Sequence, residues 1–306
     1  MFNTPVALFV FNRPEITGKI FKIIAQVKPL QLFIIADGPR SSHPDDIHLC
    51  DAVRKIVTEI GWDCNVSRLY ATENIGCRHS IPEGLNWVFS QVEECIILED
   101  DCIPDPTFFN YCTALLEYYR DAEKIMTIGG YRCDGPNEFN TDSYFFSKYP
   151  STWGWATWKR SWEKFDLDMK EWATLRNTDW LSDILSKNEY IHYWQRIFDK
   201  MCNNLDAWDY ALAFACWLNG GLSIRSKINL ISNIGFGPDA THTFYINDEI
   251  SFRRSQPMPF PLVHPKEIIV YPLDEDRIEW VIYSGMTKRI LTHGRERIVN
   301  RRNLNK

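Results

Sequence analysis

The sequence has no uninterrupted run approaching the ~20 apolar residues that an α-helix needs to cross a bilayer, so no membrane span is expected. Its N-terminus carries no basic stretch followed by an apolar one and a cleavage site, so no secretory signal is expected either. No glycine stands between Phe9 and Pro14, where the first apolar run gives way to polar residues. The glycine-rich phosphate loop of dinucleotide-dependent enzymes, and that of nucleotidyltransferases, is therefore missing, which ranks both classes low. The nine cysteines form no Cys-x-x-Cys pair and no Cys/His spacing that suits zinc. Cys95, Cys112, Cys202 and Cys216 sit in apolar runs and read as reduced core residues of a cytosolic protein. Excess positive charge is also missing: the net charge of −6 argues against a nucleic-acid partner held through phosphates. Internal repeats, low-complexity segments and a clear interdomain linker are absent as well.

What the chain does have is aromatic side chains. They make up 14% of 306 residues, 12 of them Trp, an excess that points to stacking on sugars or bases as well as to core packing. It also has a regular order of elements. Val6–Phe11 is nearly all apolar and predicts a buried strand; Ile16, Ile20, Ile23, Ile24 and Val27 then recur at helical spacing. Leu32–Ala36 predicts a second strand, ending at the turn Asp37-Gly38-Pro39. A helix through Val53, Ile56, Val57 and Ile60 follows, then a strand over Val66–Ala71, then a helix through Ile81, Leu85, Val88, Phe89 and Val92. Cys95–Leu98 predicts a fourth strand that runs into Glu99-Asp100-Asp101. Alternation of this kind predicts an α/β fold with a mostly parallel sheet flanked by helices on both faces. Ligands on such sheets bind at the carboxyl ends of the strands, and those ends here carry Asn12-Arg13, Asp37 and Glu99-Asp100-Asp101.

The second half reads as mixed. Asp105-Pro106 should open a helix, with Asp as N-cap and Pro at N1. Lys124–Ile128 and Tyr144–Ser147 look like strands, Glu189–Cys202 and Asp206–Leu218 like helices, and Leu222, Ile224, Ile228 and Leu230 like a strand pair or one interrupted strand. Trp153-Gly154-Trp155-Ala156-Thr157-Trp158 is an aromatic cluster without a clean period. Residues 232–266 read as loop. From Lys288 the chain carries Arg289, Arg295, Arg297, Arg301, Arg302 and Lys306 against one acid, Glu296. This basic stretch reads as a solvated helical tail, or as a peripheral contact with an anionic membrane face or acceptor.

Carboxylates at the exit of a buried strand are costly unless they meet water or a cation. A hard divalent ion takes one or two carboxylates together with phosphate oxygens and waters, so Glu99-Asp100-Asp101 suits an ion bridged to a diphosphate. An acidic loop that caps the next helix is the plainer alternative.

The string from Cys95 to Phe109 resembles the acidic metal motif of glycosyltransferases with the GT-A fold. It is most similar to the Glu-Asp-Asp form in the N-acetylglucosaminyltransferase I group, and more broadly to family-2-like bacterial enzymes. Val6–Pro14 resembles the first strand and turn of the same enzymes. The resemblance covers about residues 4–120 well and 150–245 more loosely. It implies a GT-A, Rossmann-like domain over 1–266, with a nucleotide-sugar half (1–120) and an acceptor half (121–266), followed by the basic tail (267–306). It implies a divalent Mn²⁺ or Mg²⁺, a UDP-sugar or other nucleoside-diphosphate sugar as donor, and a saccharide or a lipid- or protein-linked glycan as acceptor.

Residue by residue, the resemblance makes Asp101 the metal ligand and turns Glu99 and Asp100 to the ribose and sugar. Asp37 falls where related enzymes contact uracil, and Arg13 where they contact the nucleotide. Arg78 falls where base, sugar or diphosphate would lie, with His79 and Ser80 as alternatives one and two positions on. Inverting transfer needs a carboxylate to take the acceptor proton, and Trp208-Asp209-Tyr210 resembles the element that supplies it, so Asp209 is the expected base. With Asp206 as N-cap, Asp209 would in any case sit at N3 and favour the helix dipole. Trp153, Gly154 and Trp155 resemble the acceptor-side Gly-Trp element. His242, in a late loop, is expected near the metal or diphosphate. The non-enzymatic rival is a sugar-binding protein on a degenerate transferase fold, which the intact acidic triplet argues against.

Overall fold

The computed structural model describes residues 2–132, 141–235, 253–279 and 282–283. The chain begins β1 (Val6–Val10), α1 (Pro14–Val27), β2 (Gln31–Ala36), α2 (Asp46–Ile56), β3 (Asn65–Tyr70), α3 (Cys77–Phe89), β4 (Glu94–Glu99). It continues with β5 (Cys102–Pro104), α4 (Thr107–Tyr118), β6 (Ile125–Gly129), β7 (Tyr144–Ser147) and β8 (Trp155–Trp158). Short helices α5 (Lys159–Trp162), α6 (Trp172–Leu175) and α7 (Trp180–Ile184) lead to α8 (Asn188–Cys202), α9 (Asp209–Leu218), β9 (Leu222–Ser226) and β10 (Ile231–Asn233).

Eight strands form one mixed sheet in the order β3-β2-β1-β4-β8-β6-β9-β7, and β5 and β10 form a separate ribbon. β1 is parallel to both of its neighbours, β2 and β4. β8 enters antiparallel between β4 and β6, β9 runs parallel to β6, and β7 closes the edge antiparallel to β9. The sheet is therefore mostly parallel, with β7 and β8 running against the rest.

Side chains alternate between two cores, as a strand period of two requires. Val6, Leu8 and Val10 pack with residues of α1, α2 and α4, while Ala7 and Phe9 pack with residues of α3, α8 and α9. Burial on both faces explains why β1, β2 and β4 read as continuous apolar runs.

Register places the site. Val10 lies opposite Ala36, and Phe9 lies opposite Glu99, so Phe11–Arg13, Asp37 and Asp100–Asp101 all leave the sheet at one edge. α1 starts at once, with Pro14 in its first turn, and ends on Lys28 in the left-handed region (φ 55°).

Four readings of the sequence change. Trp155–Trp158 is an internal strand, every residue buried, because its ring-bearing positions face the two cores between β4 and β6. Asn65–Tyr70, expected to be apolar, is an edge strand with no buried residue. The helix expected from Asp206 begins at Asp209, because Asp206 spends its carboxylate on the start of α3. The strand pair near 222–230 is β9 and, farther on, β10, and the latter pairs with β5 rather than with β9. The helix at Asp105 matches more closely: Asp105 Oδ1 accepts from Thr107 N at 2.9 Å, capping α4 from two residues before its first turn.

After the ribbon, residues 253–270 run without helix, and residues 272–279 form a helical segment. That segment is held by buried glutamates: Lys148 Nζ lies 3.0 Å from Glu279 and 3.7 Å from Glu275. The basic stretch from Lys288 lies outside the described residues. Among the described residues, no helix is long and apolar enough to cross a membrane.

Candidate functional site

The strand ends open into a cleft of about 400 Å³. Arg13, Asp37, Glu99, Asp100, Asp101 and Trp153 line it, joined by Phe11, Arg40, Asn74, Cys77, Ser80 and Asp206. The three polar clusters seen in the sequence thus meet in one cavity.

The acidic loop is organised around Arg13. One guanidinium nitrogen lies 2.9 Å from Asp100 Oδ1 and the other donates to Asp101 Oδ2 at 3.1 Å. Asp100, its side chain 3% exposed, also accepts from the backbone N–H of Phe11 at 3.3 Å. Asp101 is half-buried; the Cys102 thiol donates to its Oδ1 and its backbone carbonyl accepts from Ile234 N at 2.9 Å. Burial pushes the Glu99 carboxyl well above the ordinary carboxylate range, and Asp101, Asp100 and Asp209 push it further. Burial raises Asp100 too, against the pull of Arg13. Burial works against the charge of Arg13 itself, but Asp100 and Asp101 outweigh it and its pKa rises. One guanidinium thus faces three crowded carboxylates, and burial with mutual repulsion resists the full ionisation of Glu99 and Asp100, a resistance that a further cation would relieve.

Asp37 is engaged within the protein. Its Oδ1 accepts from Gly38 N and Ile75 N at 2.8 and 3.1 Å, and its Oδ2 from Asn74 Nδ2 and Gly76 N at 3.0 and 3.2 Å. A carboxylate has about four lone-pair sites, so Asp37 is filled by Gly38 and by Asn74, Ile75 and Gly76. Burial raises its pKa and the three backbone donors lower it. Its place at the cleft is as expected, while its acceptor capacity for a base N–H is used internally. The cation nearest Asp37 is Arg54, which donates to its backbone carbonyl at 3.3 Å, and a second arginine that lines the cleft, Arg40, was missed by sequence reading. Arg40 clamps Asp46 through Nε (2.6 Å) and Nη2 (3.0 Å), Asn12 Nδ2 donates to the same carboxylate at 2.8 Å, and the guanidinium sits 5.3 Å from the Phe11 ring centre. The signal was the Asn12–Asp46 and Arg40–Asp46 pairing, which no local pattern carries.

Arg78 does not line the cleft. It is buried, its Nη1 donates to Leu205 O at 3.1 Å, and its backbone N–H donates to Asp206 Oδ1 at 3.2 Å. Ser80, the alternative two positions on, does line it. The first turn of α3 meets the 205–206 loop, where Cys77 Sγ and Arg78 N both donate to Asp206 and the Arg78 side chain follows to Leu205 O.

Of the aromatic element, Trp153 reaches the cleft and packs edge-on against Tyr131 at 4.5 Å. Trp155 does not: it is 1% exposed and stacks on Trp208 at 5.7 Å. Gly154 (φ 63°) is required by the ribbon, since a Cβ there would overlap Ile231. Asp209 opens α9 beside the acidic loop, near enough to raise Glu99, whereas Asp206, in the loop before α9, is the one of these two that lines the cleft. His242 lies outside the described residues.

For a metal, no group of three or more His, Cys, Asp or Glu ligands is preformed among the described residues. The donor set nonetheless fits an ion that arrives with a diphosphate. Asp101 offers one half-buried carboxylate, Glu99 lies alongside, and a cation there would favour the ionised form that burial and its acidic neighbours disfavour in Glu99.

Neither a protein-family model nor a curated protein matches the sequence. Several solved structures are similar to part of the chain. An apo UDP-glucose pyrophosphorylase is 10% identical, with 74% of this chain and 93% of that chain covered, at a TM-score of 0.38. A UTP-bound UGPase from Acinetobacter baumannii is 8% identical over 73% and 85%, at 0.37. A 4-diphosphocytidyl-2C-methyl-D-erythritol synthase from Anaerococcus prevotii is 12% identical over 53% and 74%, at 0.33. By their names these are nucleotidyltransferase-type enzymes, the rival that the missing glycine-rich loop ranked low, rather than glycosyltransferases. Their likeness to this chain is a partial one in backbone layout.

Proposed function

We propose that the chain is a glycosyltransferase that takes its sugar from a nucleoside-diphosphate donor, UDP-linked in the first instance. The observation that carries this reading is the acidic loop at the end of β4: three carboxylates under-compensated by one arginine, facing a cleft at the carboxyl edge of a parallel sheet. The base and ribose would lie over Phe11, Arg40 and Asn74, and the diphosphate would lie towards Asp101. A divalent Mn²⁺ or Mg²⁺ on Asp101, when bound, would stabilise the departing diphosphate. Glu99 and Asp100 would turn towards the donor, and Trp153 would offer a face to the acceptor sugar. Asp209 would accept the proton of the acceptor hydroxyl as that oxygen attacks the anomeric carbon from the side opposite the leaving group, which inverts the configuration.

Nucleotidyl transfer is the second reading, because it is the activity type named for the structures of similar fold. The first turn argues against it: Phe11 N already donates to Asp100, Pro14 has no N–H, and Thr17 N donates to Arg13 O. The turn also has no glycine to let its backbone wrap a triphosphate as a glycine-rich loop does.

The test is a panel of nucleoside-diphosphate sugars and nucleoside triphosphates with Mn²⁺, read by product. Release of nucleoside diphosphate from a sugar donor, abolished in Asp101→Ala, supports glycosyl transfer; pyrophosphate from a triphosphate and a sugar phosphate supports the second reading. Stabilisation against heat that needs both UDP and Mn²⁺ should accompany the first outcome. Asp101→Ala with unchanged UDP–Mn²⁺ affinity would sink the metal assignment.

A further inference from the structure

Arg13 holds two of the carboxylates that a metal and a donor would need. Its two terminal nitrogens go to two different acids, Asp100 at 2.9 Å and Asp101 at 3.1 Å. The two contacts are unequal in what else supports them. Asp100 is buried and keeps the Phe11 N–H if Arg13 leaves. Asp101 is 18% exposed at the cleft, and Arg13 covers the Oδ2 that faces it. A divalent ion on that oxygen would stand a few ångströms from a fixed positive charge, which costs binding energy. The Arg13 backbone cannot yield, since its carbonyl accepts from Thr17 N (2.9 Å) and Thr17 Oγ1 (2.8 Å) and Pro14 follows. The side chain can: it is 24% exposed and has four rotatable bonds into the cleft.

We propose that Arg13 is the resident counter-cation of the acidic loop, which a divalent ion displaces from Asp101 and which then turns its guanidinium to the donor's diphosphate. A planar fork of donors suits phosphate oxygens as it suits carboxylates, so the same side chain serves both states. The second half of this inference rests on the nucleotide-sugar reading; the first half does not.

The two halves predict opposite signs for one substitution. Mn²⁺ alone, titrated by water-proton relaxation, should bind Arg13→Gln about tenfold more tightly than the wild type, since the competing charge is gone. UDP in saturating Mn²⁺, titrated by calorimetry, should bind the same variant about tenfold more weakly. Arg13→Lys keeps a charge without the fork and should fall between on both measurements. A folded Arg13→Gln, checked by circular dichroism and melting, that binds Mn²⁺ no more tightly than the wild type overturns the proposal. If Arg13→Gln does not fold, Arg13→Lys decides on the same Mn²⁺ titration: equal affinity overturns it. UDP that fails to bind the wild type while the Mn²⁺ shift is seen leaves the counter-cation standing and removes the nucleotide reading instead.

Discussion

Gly235 shows how tightly single residues constrain this site. A Cβ at that position would overlap the Asp101 carboxylate, so the chain leaving β10 can pass the acidic loop only as glycine. Gly235→Ala is expected to force the Asp101 carboxylate out of its place in the cleft, to lower stability by about 1–3 kcal/mol and to weaken Mn²⁺ binding by about tenfold. Urea unfolding and a Mn²⁺ titration check both, and an unchanged Mn²⁺ affinity would mean that Asp101 is not the ligand. Asp46 makes a prediction that depends on pH. The Arg40 hydrogen bonds hold its carboxyl down at about 2, against an ordinary value of 3.8. A carboxylate whose pKa is lowered by folding stabilises the fold above its unfolded value, and that stability is lost as pH falls through the folded one. Asp46→Asn should therefore cost about 1–2 kcal/mol at pH 7, discounted for the partial exposure of Arg40. The gap to the wild type should close as pH falls from about 4 towards 2. Urea midpoints at pH 7, 5 and 3 test the sign; a gap that widens in acid would refute it.

Among elements, the parts that sequence reading found and the parts it missed differ for a physical reason. β1, β2 and β4 are buried on both faces, so they are written as apolar runs and their ends as polar clusters; the cleft was visible from those ends. β8 was not visible, because a strand built of Trp, Ala and Thr beside a glycine has no period to read, and its place is fixed only by β4 and β6. The ribbon of β5 and β10 was missed because each strand has three residues and they pair across 127 positions or more. The bond from Arg13 to Asp100 and the filling of Asp37 were missed likewise, since such partners are set by the fold and not by spacing. The start of α9 carries the functional consequence. Asp206 binds the first turn of α3, and Asp209 is left as the first residue of α9, within electrostatic reach of Glu99. Asp209→Asn should keep UDP–Mn²⁺ affinity and lower turnover at least ~10²-fold. Asp206→Asn should mainly loosen the α3–α9 junction, lowering the melting temperature with a smaller effect on turnover. Steady-state rates and melting curves of the two variants separate these roles; the reverse pattern would make Asp206 the base.

At the scale of the whole molecule, the sheet does not stop where the nucleotide-side sequence ends. β4, the last strand of the first hundred residues, has β1 on one side and β8 on the other, and β8 comes from residues 155–158. Cys95, Ile96 and Ile97 of β4 are all at most 1% exposed, and they lie opposite Thr157, Ala156 and Trp155. A fragment of residues 1–120 would keep the acidic loop in sequence but would lose that partner strand. It would present β4 as an open, apolar edge, the kind of surface that pairs with other chains. It would also lose the layer of α8 and α9 that covers Ala7 and Phe9, and the ribbon strand β10 that fixes Cys102–Pro104 beside Asp101. The expectation is that the fragment expressed alone aggregates or stays unfolded, and that it shows no Mn²⁺-dependent UDP binding, while the full chain unfolds in one transition. Size-exclusion chromatography, circular dichroism and the same UDP titration decide it. A monomeric, folded fragment that still binds UDP with Mn²⁺ would show that the donor site is complete without the second half, and that the acceptor-side strands only extend a sheet already able to stand.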